Sequence, residues 1–484
     1  MTRRPPSERE ERLRQQVSEA DALVTQILTI KPDSIETDEP LVRAREILVT
    51  ALDHLASEQV ARKAFVEARE TIERALEWSP GDEALRRHYS EVVMGLGNEQ
   101  VARGEQRAAI DSFDEAIRID SGNAAAFNNL GILMFDQLNM TEAEAALRQA
   151  IAIHPHYAEA HFNLSRVLLM QGKYAEGWRE NEWRWDCPAF PSTWRDFPYR
   201  SWDGEDLAGK NVLVWSEQGI GDEIMFANAL PDLIAEARHV AIECNERLVP
   251  LYRRSFPSAT VVARATPPDE AIERAGIDVQ MPLASLCVRY RSSKDAFGAN
   301  PGRYLTADPV RTRELRARYD DLADGLLIGI CWRSGNPTVG HERSASLDYW
   351  DAILKRPGCR FVSLQYGDVG SDIAAVQDRL GVTIHRDGDI DPFASVEDWF
   401  AQVAAMDHVI SIDNSTIQVS GSLGIPTWTL LSYSPEWRFG IGGSGHDWHP
   451  SIRVFRQPAP GDWEHVFEAA DAALEDLLRL KSNG

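Results

Sequence analysis

Between residues 90 and 180 of this 484-residue chain the same small residues return at one interval. Ala109, Ala143 and Gly177 are each about 34 residues apart, and Leu96-Gly97, Leu130-Gly131 and Leu164-Ser165 keep the same register. A repeat of that length is one supersecondary unit that cannot bury its apolar face alone, so neighbouring units must stack. Small residues such as Gly131 and Ala143 let two antiparallel helices approach, while Phe127 and Leu147 fill the gap between neighbouring pairs. Upstream, Leu55, Ala68, Ile72, Ala75 and Pro80 fit the same template. Pro80 and its equivalent Ser121 are 41 residues apart, and the excess over one period adds about two helical turns without rotating the buried face. Ala20, Val24, Ile27 and Pro32 outline a fainter, earlier unit.

The segment Ala126–Pro155, with Phe127, Leu130, Gly131, Ala143, Leu147, Ala150 and Pro155, resembles a tetratricopeptide repeat. The resemblance spans about residues 15–185 and predicts a helical superhelix over 1–185 with a concave face. It implies a surface for a protein partner or for self-association, or else a rigid arm that binds nothing.

Composition narrows the function. Asp and Glu outnumber Lys and Arg by 75 to 51, a formal charge of −24, and such a field repels phosphate backbones and anionic lipid. General nucleic-acid and membrane-surface binding are therefore not expected, although a pocket for one anionic ligand needs only two or three arginines. The five cysteines are odd in number and never spaced Cys-x-x-Cys, which reads as reduced thiols in a cytoplasmic protein. No apolar run approaches the roughly 18 residues of a membrane span, and no apolar stretch follows the charged N-terminus, so neither a span nor secretion by that route is expected.

A junction over 186–209 interrupts the helical period. Between Trp178 and Trp202 the chain carries Trp178, Trp183, Trp185, Trp194 and Trp202, with Pro188, Pro191 and Pro198 between them. Such rings either stack on sugar faces or join the last repeat to the next domain.

From Gly209 onward strand-like and helical stretches alternate. Val212–Trp215 is followed by a glycine loop and a helix over Glu223–Ala237, then strand-like Val240–Glu243, a helix near Arg247–Ser255, strand-like Thr260–Val262 and the run Ile277–Leu286. A second series runs through Leu326–Trp332, Phe361–Leu364, Val382–Ile384, Val409–Ile412 and Thr427–Leu431 to a closing helix, Trp463–Leu480. Two such blocks predict two doubly wound Rossmann-like domains, over 210–318 and 319–484, with ligands at the carboxyl ends of their strands.

Three segments lie at such ends. Ser216-Glu-Gln-Gly-Ile-Gly-Asp-Glu223 offers backbone N–H groups around Gly219 and Gly221 to an anion or polar substrate, and Asp222 there is either a helix cap or a base. A dinucleotide fingerprint would need glycine at Ile224, although Glu243 at the end of the second strand is placed to hold a ribose. Arg333, Asn336 and Arg343 follow Cys331, and the two guanidinium groups suit phosphate oxygens. Asp413-Asn-Ser-Thr416 follows the strand at 409–412, and its residues either cap a helix or face a diphosphate. His446 and His449 lack a third and fourth ligand at metal spacing, so the glycine-rich stretch Gly440–Gly445 beside them reads as a lid or turn.

Gly221-Asp222 with Leu230-Pro231-Asp-Leu233, and Asp413-Asn-Ser-Thr with Gly421-Ser-Leu-Gly424-Ile-Pro426, resemble the two motifs of family 9 heptosyltransferase-like glycosyltransferases. Trp332, Gly335-Asn-Pro337, Arg343-Ser344, Trp437-Arg438, His449-Pro-Ser451, Phe455-Arg-Gln457 and Gly461-Asp-Trp463 are similar to a bacterial subgroup in which that domain follows tetratricopeptide repeats. This resemblance, over about residues 175–480, implies a GT-B fold and an inverting, metal-independent transferase that uses a nucleotide-diphosphate sugar as co-substrate and no cofactor. It implies Asp222 as base, with Glu217 and Glu223 as substitutes. It implies Asp413, Asn414, Ser415 and Thr416 on the donor, and Arg343 with Arg333 on the diphosphate. The acceptor is a glycan, a lipid-linked intermediate or a protein. One departure stands out: Gln418 occupies a position where the family commonly has histidine, and it keeps a hydrogen-bond donor there but no charge. The rival readings are an interaction scaffold with a degenerate transferase domain and a nicotinamide-dependent oxidoreductase.

Overall fold

The structure, a computed structural model, describes residues 6–31, 38–298, 302–322, 324–336 and 339–482. Pro32 and Pro337, both singled out above, lie outside them. Contacts divide the chain into two compact units, Met1–Leu164 and Ser165–Gly484.

The first unit is helical: α1 (Glu8–Ile30), α2 (Glu39–Ala61), α3 (Phe65–Trp78), α4 (Glu83–Ala102), α5 (Gln106–Ile119), α6 (Ala124–Asp136), α7 (Met140–Ile153) and the start of α8 (Ala158–Met170). Asp82 and Asn123 cap α4 and α6 by accepting backbone N–H groups of the first turn. α4 packs on α5 and α6 on α7 as antiparallel hairpins. The repeat glycines sit where these helices touch: a Cβ on Gly97 would lie 2.6 Å from Phe113, and one on Gly131 would lie 2.6 Å from Leu147. Phe113 and Leu147 are fully buried in return, each contributing about 1.5–3 kcal/mol. The extra length between Pro80 and Ser121 lies inside α4, which has 20 residues where α6 has 13.

The second unit begins inside α8 and takes in α9 (Tyr174–Asn181). At the place of the glycine and apolar pair, the third repeat has Ser165 and Asn181, joined by an Asn181 Nδ2 to Ser165 Oγ hydrogen bond of 3.4 Å. The contact boundary therefore falls earlier than residue 185. Trp178 is the reason: it is buried, donates to the Arg291 carbonyl at 2.9 Å and meets Phe226, Trp437 and Trp448 edge to face. Farther along, Trp185, Trp194 and Trp215 form a triangle of rings 5.1–5.3 Å apart, so the junction packs against the α/β region.

Four parallel strands, β1 (Asn211–Trp215), β2 (His239–Cys244), β3 (Thr260–Ala263) and β4 (Val279–Pro282), form a sheet in the order β3-β2-β1-β4. Six more, β5 (Leu326–Cys331), β6 (Cys359–Ser363), β7 (Ile384–His385), β8 (His408–Ile412), β9 (Thr427–Leu431) and β10 (Ile452–Arg456), form a second parallel sheet in the order β10-β9-β8-β5-β6-β7. β5, β8 and β9 are buried along their whole length, which is why they read as unbroken apolar runs. The architecture is thus a helical repeat array followed by two parallel, doubly wound α/β sheets.

Local expectations needed correction. The helix expected over Glu223–Ala237 is two short ones, α10 (Ile220–Phe226) and α11 (Leu230–Glu236), with Pro231 in the first turn of α11, where its missing N–H costs nothing. The run Ile277–Leu286 is strand only over β4, and it then turns into helical segments. β10 was not foreseen, because Ile452-Arg-Val-Phe-Arg456 is an edge strand with Arg453 exposed and not a continuous apolar run.

Replacing Gly131 by leucine should lower the stability of the full chain by about 1–3 kcal/mol through overpacking against Leu147. Gly81→Ala, where nothing lies within 4 Å, should change it by less than about 0.5 kcal/mol. Chemical unfolding followed by far-ultraviolet circular dichroism checks both, and equal effects would sink the close-approach argument.

Candidate functional site

Strand order reverses between β1 and β4 in the first sheet and between β5 and β8 in the second. Ligand crevices in open parallel sheets form at such reversals, outside the carboxyl ends of the strands. The loops after β1, β5 and β8 are the three segments singled out from the sequence.

Gly219 is the N-cap of α10, and Asp222 lies in its first turn, so Asp222 is not the cap. A Cβ on Gly219 would meet only Asp222, at an ordinary 3.6 Å. Gly221 is more constrained: a Cβ there would lie 3.1 Å from Ser415 Oγ, at the start of the helix Ser415–Ser422. The first turns of two helices, one from each sheet, therefore abut. Just before them, Gln218 has φ 62° and its N–H is held by Ser192 Oγ at 2.6 Å, a strained residue of a kind that clusters at functional sites.

Around this contact a charge cluster gathers from loops after four different strands. Arg438 Nη2 lies 3.3 Å from Asp222 Oδ1. Arg343 Nη1 lies 3.3 Å from Asp413 Oδ2, and Arg343 Nη2 binds Glu436. Burial pushes the Glu436 carboxyl up, but Arg438, Arg166 and Arg343 together hold it at about 2. Burial likewise raises Asp413, and here Arg343 and Arg438 do not fully reverse it, because Glu436 and Asp222 add repulsion. Burial alone would lower the pKa of Arg438, yet Asp222, Glu436 and Asp413 raise it overall. Asp413 Oδ2 is within ion-pair distance of Arg343 but not aligned with it as a hydrogen bond, so this buried oxygen lacks a donor. Arg438 Nε, also buried, lacks an acceptor.

Asn414 caps the helix Ser415–Ser422 by accepting from Thr416 N at 2.9 Å, and its Nδ2 reaches Cys331 Sγ at 2.9 Å across the strand reversal. Thr416 Oγ1 is 3.8 Å from the same sulfur. These residues tie the site together. Others expected in it are placed elsewhere. Arg333 is not brought to Asp413: it donates to the Asp368 carbonyl at 2.8 Å and pairs with Asp372 at 3.3 Å. Asn336 closes its own turn by accepting from Val339 N at 3.1 Å. Gln418 is buried with its Oε1 2.9 Å from His449 Nε2, so its side chain is engaged away from Asp222.

The alternative bases are also occupied. Glu217 is fully buried and held by Arg184 through two 2.8 Å contacts, with Ala284 N donating at 3.1 Å. Burial pushes Glu223 up to about 8, and its Oε1 accepts from Asn245 N at 3.0 Å. Glu243, the ribose candidate, is buried against Arg195. His446 and His449 stack 5.3 Å apart, and burial holds His449 at about 3 and His446 well below its usual value. The glycine-rich stretch beside them is a turn: Ser444 O accepts from Val454 N at 2.8 Å, and Arg456 binds the Phe439 carbonyl.

Sequence reading missed two parts of this site. Glu436 and Arg438 follow β9 in a Trp-Arg motif that was noted without a role. The other part is a cavity of 370 Å³ at the carboxyl ends of β6 and β7, lined by Gln365, Tyr366, Asp387, Ile390 and Phe393 among others. Gln365 ties it to the end of β5 by accepting from Trp332 N, Arg333 N and Cys331 Sγ. The signal was available in principle, since Gln365 and Tyr366 directly follow a strand.

Fold and site define a tetratricopeptide-repeat protein carrying a doubly wound α/β domain with an arginine and carboxylate crevice. Models of the TPR repeat and the tetratricopeptide repeat match residues 97–137 and 134–177. Protein FlbA of Caulobacter vibrioides is 31% identical over 437 residues, which is 85% of this chain and 70% of that protein. The chain belongs to the FlbA family. Two solved structures are similar to its α/β part. A family 9 glycosyl transferase from Veillonella parvula is 14% identical with a TM-score of 0.42, covering 58% of this chain and 100% of its own. The ADP-heptose heptosyltransferase II of E. coli is 13% identical with a TM-score of 0.39, covering 55% and 99%. Among the described residues no helix is long and apolar enough to cross a membrane, and no group of three or more His, Cys, Asp or Glu is placed to hold a metal ion.

Glu223 is proton-bound in the fold up to about pH 8 but ionises near pH 4.5 when unfolded. The folded state therefore holds the extra proton, and stability falls as pH rises between those values. Glu223→Gln should flatten this fall, by on the order of a few kcal/mol at pH 8 relative to pH 5. Melting temperatures of both proteins across that window check it, and parallel profiles would show that Glu223 is ionised in the fold.

Proposed function

We propose that this protein is a glycosyltransferase that moves a sugar from a nucleotide-diphosphate sugar to an acceptor hydroxyl with inversion, and that its repeat array engages the acceptor or a protein partner in the cytoplasm. The carrying observation is that Asp222, partly exposed in the first turn of α10 after one sheet's strand, shares a cluster with Arg343 and Arg438 from the other sheet. In this reading Asp222 takes the acceptor proton as that oxygen bonds to the anomeric carbon. The bond from that carbon to the diphosphate breaks, and its electron pair leaves with the phosphate oxygen. Arg343, Arg438 and the N-terminus of the helix Ser415–Ser422 stabilise the departing charge. In this reading the guanidinium groups take the role a metal would play, and no obligatory metal or cofactor is invoked. The cavity at Tyr366 and Phe393 would take the nucleoside, with Gln365 between it and the phosphates.

Thermal unfolding against ADP, GDP, UDP, CDP, their sugars and nicotinamide dinucleotides tests the reading. A ligand at 100 times its dissociation constant should stabilise the fold by about 2.7 kcal/mol. With the donor so identified, Asp222→Asn should lower turnover by about 10²–10⁴-fold while the donor still binds. If no nucleotide shifts the melting of a cooperatively folded sample, the chain is an interaction scaffold with a degenerate transferase domain. If only a nicotinamide dinucleotide does, it is an oxidoreductase.

A further inference from the structure

Without a ligand, the crevice already balances its charges, with Arg166, Arg343 and Arg438 set against Asp222, Asp413 and Glu436. A diphosphate that enters such a cluster competes with these carboxylates for the arginines. The three arginines are not equally free to move. Arg343 bridges Asp413 and Glu436, and Arg166 also acts on Glu436. The geometry of Arg438 is looser. Among the described residues its ion pair is a single 3.3 Å contact from Nη2 to Asp222 Oδ1, Nη1 lies 3.8 Å from the Met225 sulfur, the guanidinium sits 5.8 Å from the Trp437 ring, and the buried Nε has no acceptor. A phosphate offers the two-pronged acceptor that a guanidinium binds best, and a monodentate carboxylate does not.

We propose that Arg438 is shared between the two substrates: it holds Asp222 in the free protein and moves to the donor's diphosphate on binding, so that Asp222 is released to accept a proton only once donor is present. This rests on the glycosyltransferase reading and deepens it, making Arg438 a catalytic residue that touches the leaving group and making donor binding precede acceptor activation. The close approach of Gly221 to Ser415 supports it, because it puts the turn carrying Asp222 beside the helix start where a diphosphate would lie. Arg438 needs only to swing between adjacent partners, not to cross the crevice.

The test is a double-mutant cycle on the full chain, with inorganic pyrophosphate and the best of ADP, GDP, UDP and CDP as probes in titration calorimetry. Arg438→Lys and Arg438→Ala should weaken binding at least about tenfold, as expected for loss of a buried charge partner. Asp222→Asn should tighten it by about 3–10-fold, since Arg438 no longer leaves a partner to bind phosphate. In the Arg438→Lys and Arg438→Ala backgrounds the gain from Asp222→Asn should vanish. The lysine variant retains a charge and keeps the test valid if the alanine variant does not fold. A gain that persists in both backgrounds would be general charge relief and would overturn the shared arginine, as would unchanged affinity in Asp222→Asn. In either case the wild type still binds a nucleoside diphosphate and the transferase reading stands. If the wild type binds neither pyrophosphate nor any nucleoside diphosphate, both fail together.

Discussion

Three arginines and three carboxylates share one crevice, and none of them could stay ionised there alone. Moving a single charge out of water costs several kcal/mol even after relaxation, and only well-placed partners offset it. That requirement ties the loops after β1, β5, β8 and β9 to one another, because each supplies a charge that the others must balance. The pairing is incomplete at two buried atoms, Asp413 Oδ2 and Arg438 Nε, which have no hydrogen-bond partner among the described residues. Buried polar networks with unmet members are costly unless something fills them. Those two atoms, one acceptor and one donor, are the unmet members of this network.

One loop and one helical turn show how environment, not residue type, assigns chemistry. Glu217, Asp222 and Glu223 are carboxylates within a few residues of each other. Glu217 is a structural counter-ion, clamped by Arg184 in the core. Glu223 is held neutral near pH 7 by burial. Asp222 is the one of the three that combines partial solvent access with an ion pair, to Arg438. Side chains that differ by one methylene have therefore been given three roles by what packs around them.

A similar division runs through the helical repeats. The small residues at Gly97 and Gly131 exist because a neighbouring apolar side chain occupies the volume a Cβ would take. In the third repeat the pair becomes Ser165 and Asn181, and the apolar contact becomes a hydrogen bond. From α9 onward the large aromatic residues, Tyr174 and then Trp178, pack into the α/β unit instead of another helical hairpin. The period survives while the chemistry of the contact changes.

The repeat helices and the two parallel sheets were legible in the sequence because both arise from local periodicity. Small residues recur once per hairpin, and strands buried on both faces are unbroken apolar runs. The segments that carry Asp222, Arg343 and Asp413 could be picked out from the sequence, because each is the connection that follows a strand. The break between α10 and α11, the edge strand β10 and the true partners of Arg333 and Gln418 were not, since each depends on a neighbour distant in the chain. Arg438 is the clearest case. Nothing in the residues around it says that it will meet Asp222, more than two hundred positions earlier, and only the facing of two sheets decides it. Sequence determines which residues stand at strand ends, through a period set by backbone geometry. Tertiary structure decides which of those ends share a crevice, because burying their charges allows only mutually compensating sets.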